Sequence, residues 1–596
     1  MKDEKSGQCE AAVTCLPLKR HYGALRQRRF GLFGCILLSL ALSPLSGLAQ
    51  PTPADIDQAS REVQRIQQEL RERQERDRQE QLANQPRTVL EAPAAEASAS
   101  TDAGPCRDIR EILVEGGSLM HPKVRDEITQ PFIGKCLAIA DVEKLLGAVT
   151  THYVERGYIS VRAYIQPQDL QKGILRLLVV EGTVESLQIE DGGRGSVSPF
   201  NAFPGVVGKP LNLRDFEQGL DQVNRLSSNS ATMELLPGTQ AGGSIVVIKN
   251  APKRRLHANT TFDNYGSNSS GRNQAGLSLS FDHPTGSNDS FMVTHRSTIG
   301  DDFADQHSRS TSLLYSIPFG YFTLTASQVF SDYATPVNLP STTLTAEGDT
   351  DISSLQLDYV AYRDRLNRVA FSSTLTHKAS DNFLEGILLQ TSSRKLSSID
   401  LFGNWTTQLG GGSLTTRVGL TRGLKLFGAF DDPSGQPSSA PKAQYQKYEG
   451  ALSWSRALPV QGQTLIFGSS LNSQWSEDVL YGIEQFSIGS IFSVRGYRGT
   501  SLSGDRGVYW RNDLSAPRVV RVGTVPLNVR PYLGLDAGRI VPHDNQVGGN
   551  LTGGALGVAL SALGASLDLQ CATSLSRPSS LKGEGAQYYA SLAYGF

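Results

Sequence analysis

The sequence predicts two small α+β domains followed by a sixteen-stranded antiparallel transmembrane β-barrel, and three observations carry this. From about Arg254 to Phe596, apolar and polar residues alternate in short segments separated by turn residues. Between Cys106 and about Asn250, one order of strand, helix and paired strands occurs twice. The chain then ends on a strand in which Tyr588, Ala590, Leu592, Tyr594 and Phe596 point one way and Gln587, Ser591 and Gly595 the other.

Bulk properties are compatible with this class without selecting it. The chain has 596 residues, enough for several domains, and a net charge of −1, so no global field favours nucleic acid or anionic lipid as a partner. Mean hydropathy is −0.25. Past the N-terminal region no run of eighteen apolar residues occurs, which excludes a transmembrane helix there. A barrel needs only alternate residues to be apolar. A soluble array of β-sandwiches would have similar bulk numbers, and composition leaves both open.

Residues 1–49 read as a signal peptide. Lys19, Arg20, Arg26, Arg28 and Arg29 precede the apolar stretch Phe30 to Leu45, and Gly47-Leu48-Ala49 is a cleavage site. The basic region is long, which is compatible with a start codon further downstream. No cysteine follows at the spacing of a lipoprotein. Removing this segment leaves Cys106, Cys136 and Cys571. In an oxidising compartment a Cys106–Cys136 bridge would close a loop of about thirty residues, worth roughly 3 kcal/mol; two separate buried thiols are the alternative. No spacing supports a metal site.

In residues 50–82, Ile56, Ala59, Val63, Ile66 and Leu70 recur at helical steps, and the run beyond Leu70 is polar all round. Taken by itself this is a solvated spacer helix. Residues 83–105 lack any core-forming pattern and read as a linker. In residues 106–182 the order is a strand (Ile109 to Glu115), a helix from His121, a second helix (Ala140 to Arg156) ended by Gly157, and strands at Val161 to Ile165 and Ile174 to Val180. Residues 183–252 repeat it with one helix, LNLRDFEQGLDQVNRL. Residues 253–596, at roughly twenty residues per strand and connection, make about sixteen strands. Turn residues such as Asp282-His283-Pro284 and Pro318-Phe319-Gly320 separate them.

The stretch Phe486 to Ser515 organises this half of the chain. It holds Ser-Val-Arg-Gly-Tyr-Arg-Gly in a glycine- and serine-rich loop, then Ser-Gly-Asp, then a strand with Val508, Trp510 and Leu514 on one face and Tyr509, Arg511 and Asp513 on the other. Val494, Arg495, Gly496 and Tyr497 followed by this strand resemble the signature loop of outer-membrane transporters with POTRA domains, in particular the two-partner secretion family (ShlB/FhaC/HecB type). Glu155-Arg156-Gly157-Tyr158 and Pro167-Gln168-Asp169-Leu170 likewise resemble its POTRA domains, and the segments DNYGSNSSGR and DHPTGSND its first barrel hairpins.

The resemblance implies that residues 50–82 form a plug helix in the barrel, that the loop folds back into the pore, and that its arginine pairs with an acid on the wall. Asp536 in PYLGLDAGRI is the candidate acid. Leu533, Leu535 and Ala537 would face lipid, which puts Tyr532, Gly534, Asp536 and Gly538 inside, with glycines leaving room for a guanidinium. The family's strand often reads Phe-x-Asp-x-Gly, and Gly534 stands in the Phe position. Isoleucine 488 likewise begins Ile488-Gly489-Ser490 where the family usually has two glycines.

By the same resemblance the chain sits in the outer membrane of a Gram-negative bacterium with its POTRA domains in the periplasm. It would secrete one large β-helical, TpsA-like exoprotein in extended form without ATP, and its last strand, with Tyr594 and Phe596, would be read by the barrel-assembly machinery. Exposed sheet edges of the POTRA domains offer places for strand addition by that client; a plain spacer is the other reading. A barrel-assembly insertase and a passive porin are the alternatives. No HExxH, GxSxG or phosphate-binding loop occurs, so no catalytic residue, cofactor, metal or nucleic-acid partner is expected.

Overall fold

The computed structural model describes residue 88 and residues 105–240, 242–300, 306–338, 342–390, 392–543 and 548–596. The expected signal peptide, the 50–82 helix and all of the 83–105 linker but Thr88 and Pro105 lie outside the described residues.

Alternation over the second half produces a closed antiparallel barrel that runs from Leu256–Asp263 to Gln587–Gly595. Two of its segments, Ile387–Leu388 and Arg518–Val522, only extend hairpin ends, since their flanking strands also pair directly with each other; sixteen strands remain. Closure comes from the first and last strands, with Phe262 opposite Leu592, and from Ala258 and Phe596 exchanging backbone hydrogen bonds of 3.0 and 2.9 Å. The outside is apolar at every second residue, as at Leu277, Leu279 and Phe281, or Leu533 and Leu535. The inside is lined by serine, threonine and charged side chains, the pattern of a lipid-facing wall around a wet bore. Tyr594 and Phe596 point outward, their rings 5.9 Å apart. Pro318 and Phe319, expected in a turn, complete the strand His307–Phe319 instead; Gly320, at φ +56°, and Tyr321 make the turn.

One strand breaks parity. Along Thr343–Arg363, Leu355, Leu357 and Tyr359 face outward, but a bulge between Val360 and Tyr362 adds one residue. Tyr362 is therefore exposed, and odd-numbered Arg363 turns to the inside and is buried.

In the first α+β domain the sheet runs Glu111–Gly116, Ile174–Val180, Arg162–Ile165, with the first two parallel. Leu145, Val149 and Tyr153, four residues apart on the helix Ile139–Glu155, meet Leu175, Leu177 and Val179, two apart on the central strand. Gly157 closes the helix at φ +93°, a conformation that excludes a β-carbon at little cost only in glycine. The first strand differs from expectation. It breaks at Arg110, because the amides of Arg110 and Glu111 both donate to the Gly173 carbonyl at 2.7 and 3.2 Å. Its leading part, Arg107–Ile109, pairs with Lys135–Leu137, and there Cys106 and Cys136 are bonded, Cα atoms 5.2 Å apart.

The second domain has the order Thr183–Glu190, Gly243–Lys249, Thr232–Pro237 and the helix Leu213–Asn224, with a short additional helix at Pro199–Ala202. Phe216, Leu220 and Val223 cover its own sheet. The opposite face, Glu217, Gln218, Asp221 and Gln222, is also buried, against the barrel's turns. Gln218 and Gln222 donate to the Gly320 carbonyl (3.3 and 3.1 Å), Tyr321 donates to Asp215 (2.6 Å), and the Asn288 amide bonds both the N–H and the C=O of Ser198 (2.8 and 2.7 Å). A polar helix face thus becomes a docking face.

Within the first domain Glu181 ties the sheet to the loop ahead of the first helix. It accepts from Ser118 Oγ (2.6 Å), Leu119 N (2.8 Å) and Tyr153 Oη (3.0 Å). Burial pushes this carboxyl up, but the hydrogen bonds from Ser118, Leu119 and Tyr153 outweigh it and hold it below the ordinary carboxylate range. A depressed folded value means the contribution is present at neutral pH and is lost as pH falls below about 4. Glu181→Gln is expected to cost about 1 kcal/mol at pH 7, allowing for partial exposure, and nothing at pH 3. Urea unfolding of the α+β domains of the full chain at the two pH values checks this.

Candidate functional site

Strand Val525–Val541 carries the wall side of the site. Alternation puts Tyr532, Gly534, Asp536 and Gly538 inward, and Asp536 is buried. The loop between Gln463–Ser476 and Arg506–Ser515 starts at the barrel end opposite the α+β domains and turns back into the bore. Part of it is regular: Phe486–Ile488 and Leu502–Gly504 form a two-stranded ribbon. A buried backbone must pair its own polar groups, which explains structure where composition alone indicates irregular loop.

At the tip the structure brings Arg495 and Asp536 together. Arg495 Nε and Nη2 donate to the two carboxylate oxygens of Asp536 at 2.6 and 2.7 Å, and the Arg495 amide adds a third bond at 3.0 Å. The Nη1 donates to Asp513 Oδ1 at 2.7 Å. Arg511, whose Nη1 donates to the Ile491 carbonyl, lies 3.7 Å from Asp513, so two cations balance two carboxylates. Arg495 is only 1% exposed. A fork-to-carboxylate pair with all remaining donors engaged is what makes a charge tolerable at this depth.

Missing β-carbons make the approach possible. One built on Gly534 lands on the Arg495 guanidinium, one on Gly538 comes within 2.8 Å of Val494, and one on Gly553 meets the Arg495 carbonyl. A larger residue at 534 would occupy the space the guanidinium uses. Gly496, at φ +96°, lies against the backbone of Thr573. Val494 packs with Ile488, Leu502, Ile540 and Leu551, and the buried Tyr497 hydroxyl lies 2.6 Å from the Ser576 carbonyl.

Several loop contacts were absent from the sequence reading. Glu484 is buried between Lys378 (2.5 Å) and Lys447 (3.0 Å), both from the wall. Glu584 accepts from the amides of Arg498 and Gly499 (2.9 and 3.0 Å) and from Thr500 Oγ1 (2.6 Å). Asp505, the acid of Ser-Gly-Asp, accepts from Leu480 N and lies 2.9 Å from His543 Nδ1. Inward lysines on lipid-spanning strands were the available signal for the first of these, since such cations need a partner.

Asp536→Asn keeps the shape and removes the charge. It is expected to weaken the packed loop by roughly 3 kcal/mol, about a hundredfold in its packed-to-free ratio. Asp513→Asn, at a half-exposed carboxylate, has a smaller effect, and Gly534→Ala acts through collision alone. Current fluctuations of the purified chain in planar bilayers, with protease access to residues 490–500, measure the difference.

A lipid-facing closed barrel, α+β domains docked beneath it and a basic loop folded into its bore together define an outer-membrane transporter of the POTRA-plus-barrel class. The chain belongs to the family described as haemolysin secretion/activation protein ShlB/FhaC/HecB, which matches residues 242–560; a ShlB-type POTRA domain matches 108–182 and a further POTRA domain 183–237. It is similar to the outer membrane transporter CdiB of Escherichia coli O6:K15:H31 (strain 536 / UPEC), 33% identical over 90% of this chain and 88% of that protein. It is also similar to the hemolysin transporter protein ShlB of Serratia marcescens, 32% identical over 90% and 94%. Among solved structures, CdiB from Escherichia coli superposes with a TM-score of 0.80 at 31% identity, covering 92% of this chain and all of that one.

Proposed function

We propose that this chain secretes one large partner exoprotein across the outer membrane, taking it up in the periplasm through its POTRA domains and passing it in extended form through the barrel. The observation that carries the reading is the loop held inside the bore by Arg495, Asp536 and Asp513. A passive pore has no need of an internal segment with so many wall contacts, nor of two docked domains at its mouth. The likeness to proteins named as transporters of haemolysins, over nearly the whole chain, supports the same reading. Folding of the client outside the cell supplies the direction, since a folded chain does not re-enter.

In this reading Arg495 and Asp536 position the loop for passage of the client. The Cys106–Cys136 bridge braces the first POTRA domain against periplasmic handling. The outward Tyr594 and Phe596 present the last strand to the barrel-assembly machinery, and the apolar belt meets outer-membrane lipid. The segment 50–82 plugs the bore at rest.

Comparing culture supernatants of cells with and without this chain identifies the client. Arg495→Ala is expected to leave the barrel inserted and heat-modifiable while secretion falls at least tenfold; unchanged secretion would overturn the role of the pair. Deleting residues 106–250 should abolish secretion while ion conductance in bilayers persists, and a porin would lose nothing it does.

A further inference from the structure

At the junction of the second POTRA domain and the barrel, Arg363 and Asp221 are arranged around a vacancy for one residue of main chain. The bulge that turns Arg363 inward aims it at the helix Leu213–Asn224. Its Nε donates to Glu217 (3.2 Å) and its Nη1 to Asp221 Oδ2 (2.6 Å) and Gln218 (3.2 Å). Arg214 shares Glu217 at 2.6 Å, so two guanidinium groups balance two carboxylates. Arg363, Asp221, Glu217 and Gln218 are all more than nine-tenths buried.

This leaves Nη2 of Arg363 as a donor and Oδ1 of Asp221 as an acceptor, and both are filled by backbone. Arg363 Nη2 donates to the carbonyl of Thr88 at 2.6 Å, and the amide of Thr88 donates to Asp221 Oδ1 at 2.6 Å. The two bonds use one residue's own C=O and N–H and no side-chain atom, so any residue except proline satisfies them. An empty clamp would strand a guanidinium N–H and a carboxylate oxygen in a buried site, a state that native proteins avoid. The clamp therefore requires an occupant at every stage, and it is indifferent to sequence. It stands at the periplasmic end of the barrel, beside the turn after Arg363, where a chain handed on from the POTRA domains arrives.

We propose that Arg363 and Asp221 form a main-chain clamp occupied by Thr88 at rest and by an extended residue of the exoprotein during export, so that the chain's own N-terminal segment competes with the client for this place. The inference rests on the export reading above. It names where an extended client is first held and why recognition there is independent of client sequence.

The test uses the full chain carrying Cys571→Ser and Thr88→Cys, in outer-membrane vesicles. The probe is the amino-terminal part of the client found by the supernatant comparison, fused to a tightly folded domain that cannot pass the bore. Maleimide labelling at position 88 is expected to rise at least tenfold once the fusion is stalled, as verified by its cross-link to the barrel lumen. Separately, Thr88→Pro removes the amide donor without touching the folded junction and should raise the initial secretion rate severalfold, whereas Thr88→Ala should match the parent. Labelling unchanged under a verified stalled client, or Thr88→Pro secreting at the parental rate, would each overturn the shared clamp. Failure of the unmodified chain to export any client would instead count against the export reading, and is seen before either variant is made.

Discussion

Hydrocarbon offers no partner for an amide, and most of this architecture follows from that. A sheet in lipid must close, so the first strand meets the last and Phe596 bonds back to Ala258. Closure creates an interior, and the same rule then applies to whatever enters it. The loop between Ser476 and Arg506 pairs its own backbone as a ribbon, lends its amides to Glu584 and Asp536, and brings its one deep cation to a carboxylate already on the wall. Its position is thus set by polar satisfaction at several points, with apolar packing around Val494 and Tyr497 filling the remainder.

The same logic governs the mouth of the barrel. The helix Leu213–Asn224 is amphipathic in sequence, and in isolation its charged side would meet water. Here that side carries the hydrogen bonds that seat the second POTRA domain on the turns at Gly320 and Asn288. Buried charges there come in matched sets with amide partners, the condition under which a buried ion pair serves orientation more than stability. The junction is consequently specific in geometry, and the POTRA domain reaches the barrel as a positioned element.

Much of this was legible in the chain, and what was not has identifiable reasons. Alternation reports faces directly, so the barrel, its strand number and the inward parity of Gly534 and Asp536 could be read from Leu533, Leu535 and Ala537. The central helices of the POTRA domains were readable from Leu145, Val149 and Tyr153 at four-residue steps. Patterns report which face is polar but not what meets it, so Glu217, Gln218 and Asp221 read as a solvated face. Contacts between distant segments leave no local trace: neither Glu484 with Lys378 and Lys447, nor Asp513 as second acid for Arg495, has a signature within its own stretch. The break at Arg110 came from the Gly173 carbonyl, sixty-odd residues away in sequence, competing for two amides at once.

The extra residue at Ala361 gives strand Thr343–Arg363 an odd property. Upstream of it, side-chain direction follows one count, and downstream the opposite. A deletion of one residue there would hand Tyr362 to the junction and a guanidinium to the acyl chains, whereas losing two, or trimming at the far end near Thr343, would leave the count at Arg363 intact. Drift in the length of this strand is therefore quantised. Its outer end is free to shorten or grow, and its inner end carries a tally that lineages of this transporter must keep.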